Sequence, residues 1–343
     1  MKKINHSCAM LLLIAATAIS CDKGTAEPSA EPLNEQHDIA LYFGTGQTSA
    51  TRTFGTGATE AWEKTVNTAT AFAFDANGVI RFRRELSAAE IVAATTKPVT
   101  LIIPDVRKEE EYDLVVVANR TVPTDVLSMN RLLAELDKDA AAYNGTFKDV
   151  TTKSVRPKGF AMSGRTRCRI EHGTTNVAIE LTRTVAKIEV RTSTTEAFRN
   201  NYGGSTITID RIRLARATGK TYLVERSETN SAGSERDFET VQESVDGCNL
   251  FYIFEKASDV EGNRILLTIE ATYDIDGLST TSNDQVPIIY EVELQGAGAG
   301  RILRNGAYCV NASINGLSGS DIIVTLDIAD WETLATQRID MGR

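Results

Sequence analysis

The chain has 343 residues, 42% of them hydrophobic and 24% charged, which is ordinary for a soluble globular protein and leaves room for two folded domains. A formal net charge of −9 at pH 7, with no dominant stripe of Lys and Arg, excludes nucleic acid from the expected partners. His37 and His172 lie beyond the N-terminal leader but in no Ser/His/Asp or metal-ligand arrangement, so we expect no enzymatic activity, metal or cofactor.

The N-terminus has the pattern of a lipoprotein leader. Two lysines precede an apolar run from Ala9 to Ala18, which is too short to cross a bilayer as a finished helix. The run ends in Ala18-Ile19-Ser20-Cys21, which resembles the lipobox of bacterial lipoproteins, with alanine in place of the usual leucine at its first position. We therefore predict a signal peptide over residues 1–20, a lipid on Cys21 and a flexible tether over residues 21–36.

The first predicted strand is followed by a segment that a protease could reach. Ile39, Leu41 and Phe43 lie on one face of an alternating pattern, as in a half-buried strand, and a polar loop runs from Gly44 to Arg52. A trypsin-like protease acting at Arg52 would remove this strand. If the strand belongs to the core sheet, its loss opens an apolar groove with unpaired backbone groups, which a strand of another chain can fill. The alternative interpretation is an ordinary first strand with a surface arginine.

Short runs bounded by turn residues predict a mainly β fold beyond residue 65. Strands are expected near residues 68–74, 79–82, 99–103, 112–117, 167–170, 206–214, 249–254, 265–273, 287–294, 307–314 and 322–328. The β-branched runs at 99–103 and 112–117 indicate central strands. One helix is predicted to start at an N-cap, Thr124, and to end near Gly145, and we expect it to cover a sheet.

The middle of the chain contains two shifts in the apolar alternation and two polar segments. In the run 176–190 the apolar alternation shifts around Arg183 to Lys187, which indicates a β-bulge or a change of sheet partner. Residues 194–205 have the composition of a linker, so a domain boundary is expected near residue 195. The alternation slips again at Asp210-Arg211, and the polar residues 227–244 are predicted to be a loop.

Two further patterns bear on metal binding and on disulfides. Asp274-Ile275-Asp276-Gly277 resembles the opening of a calcium loop, but the later carboxylates are missing, so we interpret it as a hairpin turn. Cys168, Cys248 and Cys309 are far apart, odd in number and without CxxC spacing, which indicates neither a zinc site nor a thioredoxin-like site. One disulfide and buried free thiols are both compatible with the sequence.

Four segments carry a resemblance to a known family: LTRTVAKIEV (Leu181 to Val190), GFAMSG (Gly159 to Gly164), RNGAY (Arg304 to Tyr308) and the terminal strand closing in Asp330-Trp331. Their order and spacing are similar to those of the fimbrillin family, the type V pilus subunits of Bacteroidales. The resemblance implies two tandem β-sandwich domains of transthyretin-like character, with one or two short covering helices. The N-terminal domain is expected over residues 37–195 and the C-terminal domain over residues 196–343.

The resemblance also implies a mode of assembly. The precursor is expected to reach the outer membrane as a lipoprotein on Cys21, and an arginine-specific protease is expected to cut between Arg52 and Thr53. The cut releases residues 37–52, and the C-terminal strand of the next subunit fills the groove. Three other candidate cut sites lie in or beside a predicted strand, where a protease has less access: Arg81, Arg83 and Arg84.

The predicted donor strand lies near the C-terminus, in the region 321–343. Its alternating residues make one apolar face, which can supply backbone hydrogen bonds and pocket-filling side chains to a sheet edge. These residues are Ile322, Val324, Leu326 and Ile328, and Trp331 extends the insertion. The alternative is that this segment is simply the last strand of its own domain.

These expectations favour a structural subunit of an adhesive pilus, present as a lipidated precursor at the outer membrane and as a mature form in the extracellular pilus. Its partners are expected to be other pilin subunits and the maturing protease. Two alternatives stay open: an anchor or tip lipoprotein of the pilus, and a glycan-binding surface lipoprotein. A glycan-binding protein needs exposed aromatic platforms, whereas aromatic residues make up only 6% of this chain.

Overall fold

The computed structural model describes residues 37–45, 61–94, 99–103, 110–137, 159–170, 175–226, 235–241, 248–256, 260–278, 280, 283–294 and 301–329. Within them the chain is mainly β, as predicted. The strands, in chain order, are β1 (His37–Thr45), β2 (Ala69–Phe74), β3 (Ile80–Glu85), β4 (Val99–Ile103), β5 (Glu111–Ala118), β6 (Leu136–Asp137), β7 (Met162–Arg169), β8 (Thr175–Arg183), β9 (Val185–Thr194), β10 (Thr206–Thr218), β11 (Thr221–Tyr222), β12 (Glu235–Val241), β13 (Cys248–Phe254), β14 (Leu266–Asp274), β15 (Gln285–Glu293), β16 (Ala307–Ile314) and β17 (Ile322–Ala329). The helices are α1 (Ala88–Ala94), α2 (Met129–Leu133) and α3 (Glu196–Asn201), and a 3₁₀ turn covers Ala61–Lys64. None of these described helices is long and apolar enough to cross a bilayer.

The first sheet contains seven strands in the order β3-β2-β5-β7-β8-β1-β4. Its two parts, β3-β2-β5-β7 and β8-β1-β4, are joined through two residue pairs between β7 and β8, Met162 with Arg183 and Ser163 with Thr182. Buried side chains of β2 and β5 in one part and of β8 in the other belong to one hydrophobic core. Two groups of strands that share a core in this way are typical of a β-sandwich.

The second sheet has the order β15-β14-β10-β13-β9-β16-β17, with β12 paired beside β10. This sheet also divides into two parts, because β10 and β13 are joined by a single pair, Thr218 with Phe254. Each sheet contains one parallel pair, β1 with β8 in the first and β16 with β9 in the second, and every other neighbouring pair along the two orders is antiparallel. β1 and β16 therefore occupy equivalent positions, although the sequence contains no visible repeat.

The chain passes from the first sheet to the second at Thr184, between β8 and β9. This confirms the change of sheet partner predicted for Arg183 to Lys187. The second predicted slip, at Asp210-Arg211, is confirmed as a register shift between β10 and β14. The two sheets belong to one compact unit and share one hydrophobic core, so the domain boundary near residue 195 stays a prediction.

The helix predicted from Thr124 to Gly145 is wrong in its extent. α2 begins only at Met129, with Ser128 as its N-cap, and ends after five residues. β6 follows it and pairs with β11, so a strand pairing overrides the helical spacing of the leucines. Residues 138–150 lie outside the described residues.

Four other features differ from the predictions. Residues 235–241, predicted as loop, form β12 against β10. Residues 196–201, predicted as linker, form α3, which is capped by the Thr195 hydroxyl. β4 lies at the edge of the first sheet and not at its centre. α1 is absent from the predicted elements, although Ser87 and Glu90 form a capping box in which each side chain accepts a hydrogen bond from the other residue's backbone N–H.

Candidate functional site at the first strand and the sheet junction

β1 is an inner strand, paired along both of its edges. It runs parallel to β8 on one side and antiparallel to β4 on the other. The register pairs are Ile39 with Leu101, Leu41 with Val177 and Phe43 with Ile179. The partners on β8 and β4 are buried, at 6% exposure or less. Removal of β1 therefore leaves unpaired backbone edges beside core residues. The side chains of Ile39, Leu41 and Phe43 lie outside the described side chains, so their place in the core stays a prediction.

The predicted lipid and cleavage sites, Cys21 and Arg52-Thr53, lie outside the described residues. The alternative cut sites lie in β3, an edge strand of the first sheet. Each of these arginines is held by its side chain: Arg81 by the Asp75 carboxylate at 2.7 Å, Arg83 by the carbonyl oxygens of Val122 and Pro123 at 2.6 Å, and Arg84 by Glu90. Strand pairing and these contacts oppose the local unfolding that proteolysis requires.

The predicted donor strand is paired within its own sheet. β17 runs antiparallel to β16 over its whole length and forms one edge of the second sheet. Ile322, Val324 and Leu326 are half-buried and pack against the core. In this state β17 matches the alternative interpretation, the last strand of its own domain, and the donor role of residues 321–343 stays a prediction. Trp331 lies outside the described residues.

A buried cluster of charges joins the 3₁₀ turn to the junction of the two sheets. The Glu63 carboxylate is completely buried and lies 3.1 Å from the Lys187 Nζ, and the Tyr252 hydroxyl donates a hydrogen bond to it. The Arg183 Nε donates to the Glu63 carbonyl oxygen at 2.8 Å, and its Nη1 donates to the Asn305 Oδ1 at 2.8 Å. Burial lowers the pKa of Arg183 to about 10, although the Glu63 charge opposes this shift, so the guanidinium stays charged at neutral pH.

A second buried cluster is centred on Arg304. Its Nη2 lies 2.6 Å from the Glu255 Oε1 and donates to the Thr221 hydroxyl at 2.8 Å and to the Tyr222 carbonyl oxygen at 2.9 Å. The side chains of Arg304 and Glu255 are 3% and 5% exposed. Because β11 carries Thr221 and also pairs with β6, this cluster ties the small β6–β11 sheet to the segments beside β13 and β16.

These two clusters contain residues that carry the resemblance noted above. Arg183 and Lys187 belong to LTRTVAKIEV, and Arg304 and Asn305 belong to RNGAY. The sequence alone gave these side chains no role. The signal that points to them is a pair of basic residues inside an apolar strand run, since charged side chains are rarely buried unless they are paired.

The acidic turn that resembles a calcium loop is a hairpin turn, as predicted. β14 and β15 form an antiparallel hairpin, and the Asp274 Oδ1 accepts a hydrogen bond from the Gly277 N–H at 2.8 Å. Asp274, Asp276 and Asp284 bring carboxylate oxygens within 4.8 Å of one another. Exposed acidic groups commonly gather in this way without an ion, so we assign no metal site to them.

Two of the cysteines are free thiols, Cys168 and Cys309. Burial, assisted by the Asp113 carboxylate, raises the pKa of Cys168 to about 11. Because the thiolate is the reactive form, Cys168 is a weak nucleophile at neutral pH. The side chain of Cys248 lies outside the described residues.

A family model described as fimbrillin-A associated anchor proteins Mfa1 and Mfa2 matches residues 47–334. The match covers both sheets from β2 to β17 and all residues of the two buried clusters. The chain belongs to this fimbrillin-associated family. The family is fimbrial and not enzymatic, which agrees with the expectation from the sequence.

Several solved structures have the same fold as this chain. A fimbrilin (FimA) of Porphyromonas gingivalis W83 is 15% identical, with a TM-score of 0.57 over 87% of this chain and 98% of that chain. The tip fimbrial protein Mfa3 of Porphyromonas gingivalis is 15% identical, with a TM-score of 0.53 over 86% and 100% of the two chains. A protein of Bacteroides eggerthii assigned to cell adhesion is 20% identical, with a TM-score of 0.58 over 87% and 97%. No curated protein matches the sequence.

Proposed function

We propose that this fimbrillin-associated protein is a structural subunit of a cell-surface adhesive pilus that assembles by strand exchange. Its precursor carries a lipid on Cys21 at the outer membrane, an arginine-specific protease cuts between Arg52 and Thr53, and β1 leaves. The C-terminal strand of a neighbouring subunit then takes the place of β1. The observation that supports this proposal is the position of β1 between β8 and β4, because an inner strand leaves two unpaired edges when it departs.

The pairing of β1 sets the orientation of an incoming strand. To make the same backbone hydrogen bonds, that strand must run parallel to β8 and antiparallel to β4. Its register positions bring it opposite Leu101, Val177 and Ile179, which are apolar and buried. An alternating apolar strand meets this requirement, and the region 321–343 contains such a pattern.

The departure of β1 also changes the environment of β4. Among the described strands, β4 pairs with β1 alone. The cut subunit therefore has unpaired backbone groups on both β8 and β4, and such groups raise its free energy when they are kept from water. A strand from a neighbour restores both sets of hydrogen bonds, so polymerisation completes the fold of the subunit.

The donor subunit has two ways to supply the strand. It can release β17 from β16, which exposes the half-buried Ile322, Val324 and Leu326. It can also keep β17 in place and insert the part of the region 321–343 that follows Ala329. A chain that ends at Ala329 separates these routes, because it fails to polymerise if the following residues are the donor and still polymerises if β17 is the donor.

A second function, the membrane anchor of such a pilus, is favoured by the description of the matching family model as one of anchor proteins. An anchor keeps the lipid on Cys21 and retains β1, whereas a shaft subunit loses both. Mass spectrometry of the subunit in purified pili distinguishes the two functions. An N-terminus at Thr53 supports the shaft position, and an intact lipidated Cys21 supports the anchor and contradicts release of the strand.

Proteolysis of the purified precursor tests the assembly mechanism directly. Digestion with a trypsin-like protease is expected to shorten the N-terminus and to produce polymers that elute early in size-exclusion chromatography. The Arg52→Gln variant is expected to keep β1 and to stay monomeric under the same conditions, because cleavage in the tether, after Lys23, leaves β1 in place. Wild-type protein that is shortened and yet remains monomeric would contradict strand exchange.

A further inference from the structure

The segment 61–68 follows the predicted cleavage loop and precedes β2. Glu63 is the first of its residues that binds the strands of the two sheets. The carboxylate of Glu63 binds Lys187 of β9 and Tyr252 of β13, and its carbonyl oxygen binds Arg183 of β8. The side chain of Glu63 is thus bound to two strands of the second sheet, and its backbone is bound to a strand of the first. The side chains of Glu63 and Lys187 are 0% and 5% exposed, so this pair is shielded from water and from screening by salt.

The second hold is the side chain of Asn119, which follows β5. Its Oδ1 accepts from the Asn67 N–H at 2.7 Å, and its Nδ2 donates to the carbonyl oxygens of Thr65 and Phe160 at 2.7 and 2.8 Å. Gly159 makes this arrangement sterically possible. With a φ of 61°, a Cβ at this position would lie 2.6 Å from the Asn119 Nδ2 and 2.7 Å from the Thr65 oxygen.

Three separate sequence segments converge on these few residues. GFAMSG supplies Gly159, LTRTVAKIEV supplies Arg183 and Lys187, and RNGAY supplies Asn305, which binds the Arg183 guanidinium. The partners of Glu63 and Asn119 in the contacts given above belong to β8, β9, β13 and the segments beside β2 and β7, which all remain in the cut subunit.

We propose that Glu63 and Asn119, with the residues that bind them, form a retention clamp that holds segment 61–68 on the sheet junction after the N-terminal strand has been cut away. The proposal rests on the proposed function, because only a subunit that has lost β1 needs such a clamp. A new N-terminus next to an open strand slot would otherwise fray and expose further sites to the protease. The clamp fixes where trimming stops and keeps the two sheets joined while the slot is empty.

Lys64 provides the readout, because trypsin cleaves after lysine only when the segment leaves its 3₁₀ turn. Limited trypsin digestion of the detergent-purified precursor, followed by intact-mass spectrometry, measures the appearance of chains that start at Thr65. In wild-type protein trimming is expected to stop before residue 61. In Glu63→Gln the buried Lys187 keeps only the Glu189 carboxylate, 3.5 Å from its Nζ, as a counter-ion, and cleavage after Lys64 is expected to be about tenfold faster. Equal rates in the two proteins overturn the proposal.

Two further variants keep the test decisive. Glu85→Gln makes the same chemical change on an exposed side chain and is expected to be trimmed like the wild type. Tyr252→Phe keeps the ring that packs on Phe160 and removes only the hydroxyl bonded to Glu63, so it covers the case in which Glu63→Gln does not fold. It is expected to be cleaved after Lys64 several-fold faster than the wild type, and a wild-type rate in a folded Tyr252→Phe variant counts against the clamp.

The failure of this proposal and the failure of strand exchange give different results. Strand exchange fails when shortened wild-type protein stays monomeric. The clamp fails when the variants and the wild type are trimmed at Lys64 at the same rate, whether or not polymers form.

Discussion

Leu41 lies directly opposite Val177 in the parallel register that joins β1 to β8. Val177 is only 6% exposed and belongs to the hydrophobic core of the first sheet. At the same time Leu41 lies opposite Val99 on the other edge of β1. The backbone of Leu41 is therefore placed between two strands at the centre of the proposed exchange slot.

Replacement of Leu41 by proline is expected to imitate removal of β1. Proline lacks the backbone N–H and is rarely tolerated in an inner strand, so β1 should detach from β8 and β4. We expect the Leu41→Pro precursor to polymerise without protease, as measured by size-exclusion chromatography. Leu41→Val keeps the backbone donor and is expected to stay monomeric. A monomeric, folded Leu41→Pro protein would show that loss of β1 pairing is not what licenses assembly.

Gly164 is expected to be intolerant of any side chain. A Cβ on this residue would lie 2.5 Å from the Ile179 Cγ2 and closer still to the Glu180 carbonyl oxygen, where β7 meets β8. Gly164→Ala should lower the free energy of unfolding by about 1–3 kcal/mol through overpacking, measured by urea denaturation. Gly203→Ala is the matched control, because its nearest contact would be the Arg199 oxygen at 3.5 Å. Similar losses in both variants would contradict the steric explanation.

Breaking the Arg304–Glu255 pair from one side is expected to be costly. Arg304→Met removes the buried guanidinium that lies 2.6 Å from the Glu255 carboxylate, so the free energy of unfolding should fall by about 3–5 kcal/mol. The double variant Arg304→Met/Glu255→Met removes both charges and should recover most of that loss. Arg211→Met breaks a pair with Glu270 that is 44% and 36% exposed, and we expect a change of about 0–1 kcal/mol in the same urea titration.

The Cys168 thiol is expected to react slowly in the folded protein. Burial and the Asp113 carboxylate raise its pKa from 9.0 to about 11, so at pH 8 the thiolate is about a hundredfold less populated than in an unfolded chain. Iodoacetamide labelling followed by peptide mass spectrometry should therefore show slow modification of Cys168 in buffer and fast modification in urea. Equal rates, or a Cys168 peptide that labels only after reduction, would contradict a half-buried free thiol.

Local patterns in the sequence were sufficient for most of the strands. β5, β14 and β16 lie where apolar β-branched runs predict them, because a strand with a buried face needs such residues wherever it pairs. The slip at Arg183 to Lys187 marked the change of sheet because the inward face of a strand changes when its partner sheet changes. α1 could also have been found, since its capping box is a local signal.

Two of the errors, at β6 and β12, have a common physical cause in distant pairing. The leucines near residue 132 have helical spacing, but β6 pairs with β11, which lies far along the chain, and this pairing ends the helix. β12 is polar and has no strand pattern of its own, and it is a strand because β10 offers it an edge. The residues of a short sequence window do not include the distant partner strand, and it is this partner that decides whether the segment becomes a strand.

The sequence by itself determined a mainly β chain, the positions of most strands and the turn chemistry between them, because these depend on neighbours a few residues apart. It also predicts a lipoprotein-like leader. Only the tertiary structure decided that β1 lies between β8 and β4, that β16 takes the equivalent place in the second sheet, and that Glu63 pairs with Lys187. Strand order is set by backbone hydrogen bonds and buried contacts between residues that are distant in the sequence, as in the pairs of Ile39 with Leu101 and with Thr175. An alternation with a period of two residues is the same whichever strand lies beside it.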